Sequence, residues 1–218
     1  MSDAQKSEVV EVNHQKFKLA APGTGIIAYI DDMHDWHGRP CLSVLLSSRA
    51  IPGEEGLGIT GGGHVECAAI DALPVGSVVE TAVDAFRENT EENKGFARVI
   101  SRKTFLERVQ PIATFSVRTD DVNRVHSCTY FGLPLRRNEW QKMRALRPGK
   151  ERKGALIEAV MTWDGKNIQR YQPEKCIRIE HFSDHATPIE RQDFYHQHEW
   201  RAFGQLAWHR DKGKLWYP

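Results

Sequence analysis

The chain has 218 residues, 40% of them hydrophobic and 27% charged, with 30 Lys and Arg against 29 Asp and Glu. That length holds one large domain, or one domain with an added piece, and buries a core of useful size; the near-neutral balance gives no global drive toward nucleic acid or an anionic membrane. No apolar run approaches the roughly 20 residues that span a bilayer, and Met1-Ser2-Asp3-Ala4-Gln5-Lys6 lacks the apolar centre of a secretory signal, so a cytoplasmic protein without a membrane partner is expected.

Residues 1–22 are polar and read as an N-terminal extension ending at Ala20-Ala21-Pro22-Gly23. The short runs Ile26-Ile27-Ala28-Tyr29-Ile30 and Leu42-Ser43-Val44-Leu45-Leu46 are bounded by Asp, Gly or Pro, which predicts strands over 25–31 and 42–47, with a weaker one over 59–65. Pro52-Gly53-Glu54-Glu55-Gly56 reads as a loop. Val79, Val83 and Phe86 give an i, i+4, i+7 stripe that predicts a helix over 79–93, opened near Gly76-Ser77 and closed by Gly95. Strands follow over 111–117 and 125–133, around the turn-rich Thr119-Asp120-Asp121-Val122-Asn123, then a short helix over 138–146 stopped by Pro148-Gly149. Residues 155–163 fit strand or helix, and 176–182 read as a strand. A long terminal helix is predicted over 188–209, with Ile189, Phe194, Trp200, Phe203 and Leu206 as core contacts. The sum is an α/β (α+β) chain with a mixed β-sheet. A single domain over 1–218 is expected, with the N-terminal extension (about 1–22) and a helical C-terminal extension (about 188–218).

The acidic part of the helix over 79–93 carries the chemistry. Glu88, Glu91 and Glu92 stand at i, i+3 and i+4, so their carboxylates share one helical face, and Asp84 extends the row. Like charges so placed repel by a few tenths of a kcal/mol per pair in a bare helix, roughly. A hard divalent cation reverses that sign, and an all-oxygen cluster suits Mg²⁺ or Mn²⁺ rather than zinc. The bland reading is a solvated acidic face. Two neighbours weigh against it. Arg87 sits inside the run, where its fork can hold a carboxylate in place. Upstream, Thr60-Gly61-Gly62-Gly63-His64-Val65-Glu66 lets a backbone come close to a ligand.

Together these residues resemble the Nudix hydrolase family, whose box runs Gly, five residues, Glu, seven residues, then Arg-Glu-apolar-any-Glu-Glu-any-Gly-apolar. Arg87-Glu88-Asn89-Thr90-Glu91-Glu92 matches the second half, and Gly62-Gly63-His64-Val65-Glu66 resembles its start. About ten residues are inserted around Cys67–Val75, Asn89 replaces an apolar residue, and Lys94 stands where the glycine belongs, with Gly95-Phe96 one residue late. Glu66 and Glu80 both lie near the place of the first box glutamate. The resemblance implies a Nudix-like α/β/α sandwich. It also implies Mg²⁺- or Mn²⁺-dependent hydrolysis of a nucleoside diphosphate linked to a group X. Glu88, Glu91, Glu92 and a backbone carbonyl near Gly63 would be metal ligands, Glu91 or Glu92 would orient water, and Arg87 would orient a carboxylate. A non-catalytic nucleotide-binding or regulatory module is the competing function, and capped RNA a third.

Other candidates have plainer readings. His181, Asp184 and His185, and the run Asp31-Asp32-Met33-His34-Asp35-Trp36-His37, hold ligand types but sit in extended or loop sequence; His196 and His198 would not share a helix face. Trp163, Trp200, Trp208 and Trp216 suit nucleobase stacking, core packing or a homodimer contact. Arg136-Arg137 and Lys150-Glu151-Arg152-Lys153 read as solvated surface. Cys41, Cys67, Cys128 and Cys176 form no C-x-x-C pair and read as reduced core thiols.

Overall fold

Side-chain alternation along the apolar runs decides the architecture. A computed structural model describes residues 9–12, 15–19, 23–34, 40–51, 54–64, 79–80, 82–83, 99–118, 124–144, 156–161, 168–170, 187–196 and 198–215. Strand β3 (Gly23–His34) sends Ile26, Ala28 and Ile30 to one side and Ile27 and Tyr29 to the other; β4 (Pro40–Ile51) sends Leu45 one way and Leu42, Val44 and Leu46 the other. In β8 (Arg124–Pro134), Phe131 and Leu133 face the first side and Cys128 and Tyr130 the second. Runs buried on both faces read as continuous apolar stretches, which is why these three were legible. Each fully buried aliphatic or aromatic side chain contributes about 1.5–3 kcal/mol, so the three central strands hold both cores.

Eleven described strands form one sheet in the order β1-β2-β8-β3-β4-β9-β10-β11, with β5 on β4, β6 on β3 and β7 on β8. The remaining strands are β1 (Val9–Val12), β2 (Gln15–Leu19), β5 (Glu54–Gly58), β6 (Gly61–His64), β7 (Gln110–Arg118), β9 (Leu156–Met161), β10 (Ile168–Arg170) and β11 (Thr187–Ile189). The pairs β2·β8 and β3·β8 are parallel and the other pairs antiparallel, so the sheet is mixed. Over the face of Ile26 and Leu45 pack helical positions Ala82 and Val83, helix α1 (Arg102–Arg108) and helix α2 (Arg137–Arg144), through Phe105, Trp140 and Met143. Over the other face packs α3 (Glu199–Asp211), through Ala202, Phe203, Leu206 and Ala207. This is the expected α/β/α layering. No helix among the described residues is long and apolar enough to cross a membrane.

Several local expectations change. The continuous helix over 188–209 is instead strand β11, a 3₁₀ turn (Arg191–Asp193) and then α3. The steps from Ile189 to Phe194 and on to Trp200 fall between the i+4 and i+7 positions, so they cannot form one helical stripe, whereas Phe203, Leu206 and Ala207 can. The Leu57–Phe194 bridge and the Tyr195 N–H donated to Leu57 O at 2.9 Å tie the intervening segment to β5. Glu54-Glu55-Gly56, read as loop, belongs to β5, where Gly56 pairs with Arg49. Gly56 has φ +144°, and a Cβ there would stand 2.9 Å from Tyr195 N, so this turn toward the C-terminal segment needs glycine. Residues 155–163 resolve to strand β9. The strand over 176–182 lies outside the described residues. Helix α1 was not foreseen.

Two polar devices hold the helix-bearing face. Ser101 caps α1, accepting the Thr104 N–H at 3.1 Å. Arg108, at the end of α1, donates to Glu139 Oε2 at 2.7 Å, both side chains nearly buried, and the same oxygen accepts the Arg136 N–H at 2.8 Å at the start of α2.

Candidate active site at the β5–β6 connection

The sheet forks beside the glycine strand. Along one edge of β3, Gly23–Ile26 pairs with β6, and from Tyr29 onward the partner is β4. Where two partners exchange, backbone groups lose their ladder bonds and need other acceptors. Thr60 supplies the joint: its hydroxyl accepts the Ala28 N–H at 2.9 Å and donates to Leu45 O at 2.5 Å. Next to it, Ile59 O accepts from Ser47 Oγ at 2.7 Å, and Ile59 N–H donates to Glu199 Oε2 at 3.0 Å. The two-residue link from β5 to β6 is thus fixed by side chains from β4 and from the first turn of α3. Gly25 makes room for it, since a Cβ there would lie 2.0 Å from Ile59 Cδ1.

Glycines form a poor strand by propensity, so β6 exists through this pairing. Its register opposes Gly23 to His64, Thr24 to Gly63, Gly25 to Gly62 and Ile26 to Gly61. Directly opposed residues of an antiparallel pair share a face. On the helix-bearing face, Thr24 and Ile26 therefore stand beside Gly63 and Gly61, which offer backbone alone. Gly63, the expected source of a ligand carbonyl, lies at this place.

The helix expected over 79–93 is seen at Val79, Glu80, Ala82 and Val83; Ala82 and Val83 are fully buried in the helix-side core and Glu80 is exposed. Glu66, Phe86, Arg87, Glu88, Glu91 and Glu92 lie outside the described residues. Among those that are described, no group of three His, Cys, Asp or Glu capable of holding a metal occurs. Two buried hydroxyls, Thr24 Oγ1 and Ser43 Oγ, have no hydrogen-bond partner among the described residues. Such a group costs about 1–3 kcal/mol.

The secondary candidates are placed as follows. Asp31 is held by Arg210, Nε at 2.7 Å and Nη2 at 2.6 Å from one carboxylate oxygen, a structural pair between β3 and α3. Trp200 packs edge-on against Phe194, while Trp208 is 43% exposed beneath the Lys214 ammonium, 4.7 Å from its ring. The His196 and His198 rings lie 5.4 Å apart at the entrance to α3. Arg136 and Arg137 are exposed. Cys128 is a buried free thiol, as expected of a core cysteine. Burial pushes it up from 9.0 to about 11; a hydrogen bond from Tyr130 opposes the rise and the Glu199 carboxylate adds to it. Burial, then the same carboxylate, also raises the Tyr130 phenol far above its ordinary range. Trp163, His181, Asp184, His185, Trp216 and the cluster at 150–153 lie outside the described residues, as do the side chains of Cys41, Cys67 and Cys176.

Sequence reasoning missed Thr24, Ser47 and Glu199. Thr60 was visible as the residue ahead of the glycines, but Glu199 meets Ile59 across 140 positions and nothing local announces it.

No family model matches the chain, and no curated protein matches it in sequence. Among solved structures it is similar to a MutT/nudix family protein from Enterococcus faecalis, with TM-score 0.50 and 13% identity, over 92% of this chain and 66% of that one. Shewanella oneidensis NrtR also matches, with TM-score 0.38 and 12% identity, over 63% of this chain and 51% of that one. The chain therefore spans just under two thirds of the length of the first structure and about half of the second. At 13% identity the likeness to the Enterococcus protein is one of fold. With a mixed sheet covered by helices on both faces and a glycine strand set into its fork, the chain has a Nudix-like fold.

Proposed function

We propose that the chain is a Mg²⁺- or Mn²⁺-dependent pyrophosphohydrolase acting on a nucleoside diphosphate linked to a group X, of the ADP-ribose, NAD(H) or dinucleoside polyphosphate type. One conjunction carries the reading: a Nudix-like fold occurs in a chain whose sequence runs Arg87-Glu88-Asn89-Thr90-Glu91-Glu92 shortly after the buried helical positions 82 and 83. Glu88, Glu91, Glu92 and the Gly63 carbonyl are the proposed metal ligands. The donor set is all oxygen, which suits a hard divalent cation. Gly61 and Gly63 stand opposite Ile26 and Thr24 in β6, and the Thr24 hydroxyl has no hydrogen-bond partner among the described residues.

When bound, the cation neutralises phosphate charge and lowers the pKa of a coordinated water. Arg87 orients a carboxylate of the row, and Glu91 or Glu92 orients the attacking water and takes its proton. The new bond joins the water oxygen to one phosphorus and the bridging P–O bond breaks, giving a nucleoside monophosphate and phospho-X. The Ile59–Thr60 anchors keep β6 in register throughout. We also place the protein in the cytoplasm and assign it a free nucleotide rather than nucleic acid.

A panel of nucleotides with Mg²⁺ or Mn²⁺, followed by phosphatase-coupled phosphate release, tests the proposal. Turnover that disappears with chelator supports it. The lengthened stretch between Gly63 and Arg87 favours a second reading, a nucleotide-binding module without turnover, and tight nucleotide binding with no phosphate release would establish that instead.

A further inference from the structure

Strand β6 has little of its own to hold it. Gly61, Gly62 and Gly63 have no side chain to place in either buried cluster, and glycine loses more conformational freedom in a strand than any other residue. Its pairing with β3 therefore depends on the link that leads into it. One end of that link, Thr60, is bonded within the central strands, to Ala28 and Leu45. The other end is gripped from the far end of the chain: Leu57 bridges to Phe194 and accepts the Tyr195 N–H at 2.9 Å, and the buried Ile59 N–H donates to Glu199 Oε2 at 3.0 Å. Ile59 is buried in the same cluster as Phe194, Phe203 and Leu206. The central strands β3, β4 and β8 differ in this respect. Each also sends side chains into the second cluster, beside Phe105 of α1 and Trp140 of α2, and so keeps one covered face when α3 lifts away. The glycines of β6 keep none.

We infer that the segment from Phe194 through α3 is a latch on the glycine strand: when it undocks, β6 leaves β3, and the two open as one unit while the three central strands stay paired. Proteins open locally in contiguous cooperative units of this kind, at free energies below that of global unfolding. The device stands on the anchors at Leu57 and Ile59 alone and holds whatever the protein binds. It puts control of the glycine backbone in a helix that lies 140 positions away along the chain.

Native-state hydrogen exchange of the full chain, followed by mass spectrometry over a series of low urea concentrations, tests it. In the wild-type protein the amides of β6 and of α3 are expected to exchange with the same opening equilibrium and the same urea dependence, ahead of those of β4 and β8. Glu199→Ala removes the acceptor of the Ile59 N–H and is expected to speed exchange in β6 and α3 together, by about 5- to 150-fold. Glu199→Gln keeps an acceptor and is expected to stay within a few-fold of wild type, roughly. Exchange in β6 that holds its wild-type rate in Glu199→Ala while α3 speeds up would show that the strand is independent of the helix, and overturns the inference. So does a wild-type protein in which β6 opens apart from α3, or only in one global step with β4 and β8. If Glu199→Ala does not fold, that wild-type comparison decides alone.

Discussion

Each face of the sheet carries a buried apolar cluster, but among the described residues the two differ in how they treat polar groups. On the α3 face, polar atoms have been given partners: Glu199 accepts from Ile59, Gln110 meets the Tyr29 hydroxyl, His209 Nε2 meets Ile112 O at 2.9 Å, and Arg210 holds Asp31. On the helix-bearing face, the Arg108–Glu139 pair is satisfied, yet both unpartnered buried hydroxyls of the described residues, Thr24 and Ser43, lie there. A face whose polar groups close among themselves is scaffold. The face that leaves two hydroxyls open is also the face against which helical positions Ala82 and Val83 pack.

That contrast breaks most directly at the acidic row. Glu92→Gln is expected to lower turnover by roughly 10²-fold or more with the melting curve unchanged; near-wild-type turnover would remove the catalytic assignment from the acidic row. Scaffold elements should instead report through stability. Arg108→Met leaves Glu139 charged and nearly buried, and should cost about 3–5 kcal/mol in urea unfolding, with Arg108→Met/Glu139→Gln recovering part of the loss. A loss below about 1 kcal/mol, the range of an exposed pair, would mean that the pair does not fasten α1 to α2.

Glu199→Ala orphans the Ile59 N–H and should cost about 1–3 kcal/mol, whereas Glu199→Gln keeps an acceptor and most of the stability. Equal losses in the two variants would show that charge rather than the hydrogen bond matters. The smallest effect concerns pH. The folded Cys128 thiol titrates near 11 rather than 9.0, so the folded chain holds its proton where the unfolded chain has lost it. Its contribution to stability is complete below pH 9 and is lost as pH rises toward 11. Denaturant midpoints should fall across that window, less steeply in Cys128→Ala; identical slopes would contradict burial as the cause.

Much of the scaffold was legible because its signals are local. The Ile26–Ile30 and Leu42–Leu46 runs are buried on both faces, and the two strands around Thr119–Asn123 pair as expected, Phe115 opposite Cys128. Helix α1 was not, because in Arg102–Arg108 the apolar Phe105 and Leu106 stand side by side and give no 3.6-residue period. The C-terminal segment misled because Ile189, Phe194 and Phe203 are all core residues, yet they reach the core through a strand, a bridge and a helix. For the candidate site, spacing singled out Gly63, which the structure places opposite Thr24 in β6, and Arg87–Glu92, which lie outside the described residues. Glu199, which fixes the link into β6, gave no local signal, because its partner Ile59 lies 140 positions away.

The central claim is that the acidic row and the glycine strand hold one divalent cation between them. Anomalous scattering from crystals soaked with Mn²⁺ locates that ion without reference to turnover. The account predicts a peak beside the Gly63 carbonyl, within coordination distance of the Glu88, Glu91 and Glu92 carboxylates. A peak bound elsewhere, or carboxylates turned away from Gly63 with no peak between them, would contradict it.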